Sequence, residues 1–250
     1  IKQVEYNWRK GIGKYVGRGQ EQVQELKIYD DSILNHFPKL YHQDWIDYGI
    51  SEQTLEKYNI RYYPYRQQIV IPAYTQDNQL CGIRIRNTIE DVSPKYCPLS
   101  TLNNSQYNFP TGQVFYGENH NIDEIKRTKK VILCEAEKTV LKMDTWFGKR
   151  NISLGLYGSN LTKHKLLKLI SYEVSTVYIA IDSDFNEIGD DDFKKFEEKV
   201  FKMADMLRPY IPNIYVVYNN LGYKDAYKYS LTDFTREQFN ELWKSKEMIE

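Results

Sequence analysis

The chain has 250 residues, of which 41% are hydrophobic and 27% are charged, as in a soluble globular protein with material for one large or two small domains. Lysine plus arginine and aspartate plus glutamate each number 34, so any nucleic-acid site has to be a local patch rather than a global field. The three cysteines, Cys81, Cys97 and Cys134, form no C-x-x-C pair, which argues against a zinc site and favours a reducing compartment.

The sequence shows neither a membrane span nor a signal peptide. No apolar run approaches the roughly 18 residues that a spanning helix needs, and the N-terminal residues lack the charged and apolar regions of a secretory signal. We therefore expect a cytoplasmic protein with no membrane partner.

The first half of the chain predicts a small mixed α+β unit. Residues 39–60 predict two short helices broken at Gly49, with Ser51 as the N-cap of the second. Residues 68–72 and 80–85 predict two strands joined by a turn. Arg84 and Arg86 alternate with isoleucines, so both arginines face one side of the sheet. Two guanidinium groups at this spacing suit a phosphate or a nucleic-acid strand, although a solvated outer face shows the same pattern.

The second half predicts a parallel sheet. The basic run at 126–130 marks the boundary between the halves and is typical of a solvated linker. Strands and helices then alternate, which indicates a parallel sheet with right-handed crossovers. The predicted strands are 131–134, 152–157, 175–181 and 214–218, and the predicted helices are 137–147, 162–171, 193–207 and 232–245.

Carboxylates follow the apolar strands of this half. Glu135 comes directly after one buried strand, and Asp182 and Asp184 come directly after another. Asp225 follows the last strand at a greater distance. Open α/β sheets place their chemistry at the carboxyl ends of the strands, and crowded carboxylates are relieved by Mg²⁺ or Mn²⁺. The sequence therefore predicts a metal site there, with Lys138 as a phosphate contact beside the helix N-terminus. A D-x-D motif alone is more typical of a turn or cap.

The order of the motifs resembles the catalytic core of DnaG-type and phage DNA primases, including their TOPRIM domain. CEAEKTV (134–140) resembles that family's E-G-E-K-D motif, although Ala136 and Thr139 differ from it. AIDSD (180–184) resembles its metal-binding D-x-D, and GYKDAYKY (222–229) resembles its K-D-A-N-D/E stretch. Upstream, LCGIRIRN (80–87) and SPKYCPLS (93–100) resemble two segments of the primase core that come in the same order. The likeness extends over residues 45–230.

The resemblance implies a fold and a division of the chain. We expect an α/β protein with a TOPRIM-type parallel sheet flanked by helices, preceded by a smaller α+β subdomain. The N-terminal primase-core subdomain would cover residues 1–125 and the metal-binding TOPRIM domain residues 126–231. Residues 232–250 would form a C-terminal helix or the start of a further helical subdomain.

The resemblance also assigns roles to individual residues. Glu135, Asp182 and Asp184 would be the catalytic and metal-binding residues, with Asp225 as a later acidic position. Arg86 and Lys95 match basic residues that face nucleotide or template in primases, whereas Arg84 has no counterpart. No zinc is expected in this part of the protein.

The expected activity is synthesis of short RNA primers on single-stranded DNA, from NTPs, with two Mg²⁺ or Mn²⁺ ions. A replicative helicase is a further possible partner, through regions outside this chain. Two alternatives use the same features: a TOPRIM nuclease that hydrolyses phosphodiesters, and a catalytically inactive single-strand-binding module of a replication complex. A receiver-like signalling domain is disfavoured by the basic and aromatic half before residue 130.

Overall fold

The protein contains one antiparallel and one mainly parallel β-sheet. A computed structural model describes residues 23–89, 92–100, 106–224 and 226–249. Within those ranges, no helix has the length and apolar character needed to cross a membrane.

The antiparallel sheet lies in the first half of the chain. Its strands, in spatial order, are β1 (Arg61–Tyr63), β2 (Gln68–Tyr74), β3 (Leu80–Asn87) and β4 (Tyr96–Pro98). The residues of β2 and β3 that face the core are apolar, which confirms the two predicted strands.

Two short helices precede this sheet, α1 (Gln43–Asp47) and α2 (Glu52–Lys57). Between them Gly49 has a φ of +91°, a conformation that favours glycine because it has no Cβ. The hydroxyl of Ser51 accepts a hydrogen bond from the amide of Thr54 at the start of α2. The predicted break at Gly49 and the predicted cap at Ser51 are therefore confirmed.

The parallel sheet forms the second half. Its strands are β5 (Lys130–Cys134), β6 (Ser153–Gly155), β7 (Thr176–Ala180), β8 (Asn213–Val216) and β9 (Glu247–Met248), arranged in the order β6-β5-β7-β8-β9 with only β9 antiparallel. The flanking helices are α3 (Glu118–Thr128), α4 (Glu137–Phe147), α5 (Lys163–Ser171), α6 (Asp191–Leu207) and α7 (Arg236–Lys244). Residues 131–134 and 176–180 are buried throughout, as expected for strands covered on both faces. The predicted α/β fold class is confirmed.

Helix α4 joins the two halves. One hydrophobic core contains Trp45 and Leu55 from the first half together with Val140 and Leu141 of α4. The buried carboxylate of Asp144 accepts a hydrogen bond from Lys57 at 2.6 Å. The first half of the molecule thus fixes the helix that begins two residues after Glu135.

The basic run at 126–130 is not a linker, so that prediction is wrong. Helix α3 continues to Thr128, and Lys130 is the first residue of β5. Lysine and arginine can occupy a helix or a strand when their side chains are exposed, because their charges then remain in water. The predicted boundary at residue 126 therefore falls inside α3, and β9 joins the parallel sheet. The division into three domains stays a prediction.

Candidate metal and anion site

The carboxylates after β5 and β7 lie at one edge of the parallel sheet. The two strands are adjacent and in register, with Cys134 opposite Ala180. Glu135 and Asp182 therefore leave neighbouring strand ends. The segment that carries Asp182 is held by Ser183, whose amide donates to the carbonyl of Tyr229 at 2.9 Å and whose carbonyl accepts from the amide of Lys228 at 2.8 Å.

These carboxylates destabilise one another's ionised forms. Burial raises the pKa of Asp182 to about 7, and the negative charges of Glu135, Asp233 and Asp184 add to the effect. Burial and the charge of Asp184 also raise the pKa of Glu135. Desolvation and like charges both act against ionisation, so the site favours a proton or a cation.

A divalent cation fits the donor atoms that this edge provides. Oε2 of Glu135 and Oδ1 of Asp182 are buried and have no hydrogen-bond partner. Buried oxygen atoms without partners are costly, and carboxylate oxygens are the ligands that Mg²⁺ and Mn²⁺ prefer. The unpartnered atoms and the mutual repulsion thus agree with the predicted ion class.

The carboxylates are not assembled into a closed metal site. In the described part of the chain, no group of three or more His, Cys, Asp or Glu side chains is arranged to hold a metal ion. The carboxylate of Asp184 instead forms an ion pair with Lys199 of α6, with 3.0 Å between Nζ and Oδ2. Asp225, the fourth predicted ligand, lies outside the described residues. A cation at this edge therefore competes with Lys199 for Asp184.

Three of the predicted basic residues form a cluster beside these carboxylates. The positive charge of Arg86 lowers the pKa of Lys95, with desolvation as a second cause. Burial lowers the pKa of Lys138, and Arg86 contributes to that shift. We call Arg86, Lys95 and Lys138 the basic cluster. Cations that depress each other's pKa are a suitable site for a polyanion.

We call Glu135, Asp182 and Asp184 the acidic edge. Asp233 connects the basic cluster to this edge. Its Oδ1 lies 3.7 Å from Nζ of Lys138, and its Oδ2 accepts hydrogen bonds from the amide and hydroxyl of Ser230 at 2.7 and 2.8 Å. Its charge raises the pKa of Asp182, whereas that of Lys138 lowers it. The acidic edge and the basic cluster thus form one continuous site.

A cleft opens beside the basic cluster. It has a volume of about 510 Å³, and Arg86 and Lys95 line it together with Asp44, Trp45 and Asn87. The indole Nε1 of Trp45 is buried without a hydrogen-bond partner. The cleft has the size typical of small-molecule sites.

Arg84 does not belong to this cluster. Although it shares a sheet face with Arg86, its guanidinium donates to the buried carboxylate of Glu137, with 2.6 Å between Nη1 and Oε1. It also lies 4.8 Å from the ring centroid of Tyr96 and 5.3 Å from that of Tyr157. Its predicted role as a nucleic-acid contact stays a prediction.

Two residues of the site were not identified from the sequence. Lys199 lies 15 positions after Asp184 on an amphipathic helix, where a lysine is ordinary. Asp233 comes just before α7, whose N-cap is Thr235 through a capping box. Asp190 lies outside the site, because it caps α6 by accepting from the amide of Phe193.

Solved structures of DnaG primases share this fold. The zinc-binding and RNA polymerase domains of Aquifex aeolicus primase match with a TM-score of 0.66 and 19% identity over 88% of this chain and 60% of that one. A DnaG catalytic core matches with a TM-score of 0.64 and 13% identity, over 87% and 79% of the two chains. A DnaG primase catalytic domain bound to ssDNA matches with a TM-score of 0.62 and 13% identity, over 87% and 77%. The chain therefore has the fold of the DnaG primase catalytic core.

At the level of sequence, the chain is similar to the SPbeta prophage-derived uncharacterized protein YorJ of Bacillus subtilis (strain 168). The two are 32% identical over an alignment of 247 positions, and the match covers 94% of this chain and 64% of YorJ. No family model matches the chain. The chain spans just under two thirds of the length of YorJ and three fifths of the Aquifex aeolicus chain. A prophage-derived relative agrees with the expected phage or mobile-element origin.

Proposed function

We propose that the chain is the catalytic core of a DNA primase that synthesises short RNA primers on single-stranded DNA. The observation that carries the proposal is the continuity of the site. Unpartnered carboxylate oxygens of Glu135 and Asp182 lie at one sheet edge, where Lys138 of the basic cluster acts on Asp182, in the fold of a DnaG primase core. Nucleotidyl transfer needs both features, because carboxylates hold the divalent cations and basic side chains bind the triphosphate.

Glu135, Asp182 and Asp184 would hold two Mg²⁺ or Mn²⁺ ions, with Asp225 as a further acidic residue. When bound, such cations would activate the attacking hydroxyl and neutralise charge on the leaving group. The reaction would be attack of a primer 3′-hydroxyl on the α-phosphate of an NTP, with departure of pyrophosphate.

The basic cluster would bind the phosphates of the NTP and the template. Arg86 presents a planar guanidinium that suits bidentate contact with phosphate, and Lys95 and Lys138 add point charges beside it. The adjoining cleft would receive part of the nucleotide. Asp233 would hold Lys138 in place through their contact of 3.7 Å and leave its ammonium group beside the acidic edge.

The proposal is tested by template-dependent incorporation of labelled NTPs on single-stranded DNA, with Mg²⁺ or Mn²⁺ present. Replacing the acidic pair by Asp182→Asn/Asp184→Asn removes charge stabilisation worth several kcal/mol. Since each 1.36 kcal/mol is a factor of ten in rate, we expect a loss of about a thousandfold or more.

The matched control is Asp191→Asn/Asp192→Asn, which makes the same change in charge a few residues away. Asp191 is exposed and Asp192 is partly exposed, and each pairs with a lysine one turn away, so incorporation should be unchanged. Retained activity in the Asp182/Asp184 variant would refute the proposal. Metal-dependent DNA cleavage without NTPs would indicate the nuclease instead, and template binding without either reaction would indicate an inactive binding module.

A further inference from the structure

The ion pair between Arg84 and Glu137 is buried beside the candidate metal site. The carboxylate of Glu137 is only 2% exposed and the side chain of Arg84 is 19% exposed. The two residues are 53 positions apart in the sequence. Arg84 lies on β3 of the antiparallel sheet, and Glu137 is in the first turn of α4, which follows β5 of the parallel sheet. The pair therefore ties the antiparallel sheet to the turn that carries Glu135.

Two tyrosine rings limit the movement of the Arg84 guanidinium. It lies over Tyr96 of β4 and over Tyr157, which follows β6. Tyr157 has a φ of +60°, a left-handed conformation that is uncommon for a bulky residue. Its ring is also held edge-on by Phe109, with 5.1 Å between centroids. The left-handed backbone at Tyr157 thus places its ring against the guanidinium of the ion pair.

The first turn of α4 has no side-chain cap. Ala136 occupies the N-cap position of α4 and provides no side-chain hydrogen bond. The carbonyl of Glu135 accepts a hydrogen bond from the amide of Gly158 at 3.1 Å, and its carboxylate has a backbone hydrogen bond with Asp182. In the usual capped helix, a Ser, Thr, Asp or Asn at this place would order the first turn. Here Glu137, the first residue of α4, is anchored by Arg84 instead.

We infer that Arg84 is a positioning residue for the metal site, acting through Glu137 on the turn that directs Glu135. This inference rests on the proposed function, since it assigns Glu135 to cation binding. Residues that orient metal ligands from behind affect metal affinity and activity about 10- to 100-fold. Leaving the buried Glu137 carboxylate without its counter-charge is strongly unfavourable, so Arg84 should stay on Glu137 when a cation binds.

The test removes the pair without leaving a buried charge. Buried ion pairs replaced by apolar residues of similar size often keep the fold stable, so the variant is Arg84→Met/Glu137→Met. The readouts are the Mn²⁺ concentration at half-maximal thermal stabilisation, and kcat and KM in primer synthesis. We expect the Mn²⁺ midpoint to rise at least about tenfold and kcat to fall by a similar factor, with KM for the NTP little changed.

The matched control is Lys57→Met/Asp144→Met, which removes a partly buried ion pair at the other end of the same helix. It joins α4 to the first half of the molecule in the same way, with a separation of 2.6 Å. A merely structural role for such pairs would lower the melting temperature of both variants and leave both Mn²⁺ midpoints unchanged. An Mn²⁺ midpoint of Arg84→Met/Glu137→Met within about twofold of the original protein would overturn the inference.

Single variants keep the test decisive if the double variant does not fold. Arg84→Lys retains a cation for Glu137 and should preserve most of the Mn²⁺ affinity, whereas Arg84→Gln should lose it; equal midpoints would overturn the inference. Weaker binding of single-stranded DNA with an unchanged Mn²⁺ midpoint would assign Arg84 to nucleic-acid contact instead. If the protein binds Mn²⁺ in an Arg84-dependent manner but makes no primers, the positioning role stands and the primase function fails.

Discussion

Lys199 of α6 occupies the place of a counter-ion for Asp184. Its ammonium nitrogen lies 3.0 Å from Oδ2 of the carboxylate, and both side chains are about one third exposed, at 37% and 34%. The same lysine lowers the pKa of Glu135 against the effect of burial. The acidic edge thus carries an internal cation in the arrangement seen here, and a bound metal ion would have to displace it from Asp184.

Replacing Lys199 by Met should therefore strengthen cation binding. An exposed ion pair contributes up to about 1 kcal/mol, which corresponds to roughly a fivefold lower Mn²⁺ midpoint. The measurement is the Mn²⁺ dependence of the melting temperature. Without metal, the variant should melt lower, because the carboxylates lose a compensating charge.

Lys202→Met is the control for that experiment. It removes one positive charge from the exposed part of the same helix, and its Mn²⁺ midpoint should not change. An unchanged or weaker affinity in Lys199→Met would show that Lys199 does not compete with the cation.

The raised pKa of Asp182 predicts a specific pH dependence of stability. The pKa is about 7 in the folded protein and about 3.9 in an unfolded chain. Since the folded state holds the proton more tightly, the free energy of unfolding decreases as the pH rises from about 4 to about 7. Asp182→Asn abolishes this term, so it should stabilise the metal-free protein by about 2 kcal/mol more at pH 8 than at pH 5. Urea unfolding at the two pH values measures the difference.

The exposed Asp191→Asn serves as the comparison, and it should shift stability equally at both pH values. Saturating Mn²⁺ should reduce the gap between Asp182→Asn and the original protein at pH 8, because the cation compensates the ionised carboxylates. If Asp182→Asn and the original protein show the same pH dependence of the free energy of unfolding, the group that titrates is not Asp182.

The basic cluster predicts a salt-dependent contribution to DNA binding. On single-stranded DNA, each neutralised phosphate contributes about 0.7 to the slope of log K against log salt concentration. Arg86→Gln/Lys95→Gln should therefore weaken binding and reduce the slope by about 1.4. Fluorescence anisotropy with an oligonucleotide over a range of salt concentrations measures both quantities.

The control is Lys126→Gln/Arg127→Gln, on the exposed end of α3. Arg127 already pairs with Glu124 at 2.6 Å, and the run was predicted to be solvated rather than a binding patch. This variant should change the slope little. Equal losses in the two variants would mean that DNA responds to overall charge, not to the cluster.

The sequence predicted the features of this protein that depend on neighbouring residues. Apolar runs at 131–134 and 175–181 identified two buried strands because both faces are covered. The position of Glu135 and Asp182 directly after them placed both carboxylates at one edge of the sheet, because parallel strands end together. Ser51 was identified as a cap from its type and place alone.

Contacts between distant residues could not be predicted in this way. The pairing of Arg84 with Glu137 depends on how the antiparallel sheet is placed against α4, and that of Asp184 with Lys199 depends on the path of residues 185–190. Arg84 and Arg86 share a face of one strand and both lie over the ring of Tyr96, yet only Arg84 forms an ion pair with Glu137. The pattern of β3 shows that both are on the same side, but only the packing of α4 decides which of them meets a buried carboxylate.

Lys165 of α5 predicts a second pH effect, on stability alone. The side chain is 1% exposed, and its ammonium group donates to the carbonyl of Leu156 at 2.5 Å near the ring of Phe115. Burial lowers its pKa to about 7, with Glu118 opposing and Lys168 adding to the shift. In an unfolded chain the pKa is about 10.4. The unfolded state therefore binds more protons between these values, and the free energy of unfolding rises with pH from about 7 to about 10.

Lys165→Met should remove this rise, because methionine fills a similar volume without a charge. We expect the difference in unfolding free energy between the variant and the original protein to change by about 1 kcal/mol per pH unit in this window, in favour of the original protein as the pH increases. Denaturant unfolding at pH 7, 8 and 9 measures it. Lys149→Met, at an exposed position after α4, should show no such trend. A parallel pH dependence in the Lys165 variant would mean that Lys165 is charged throughout, with Glu118 as its effective counter-ion.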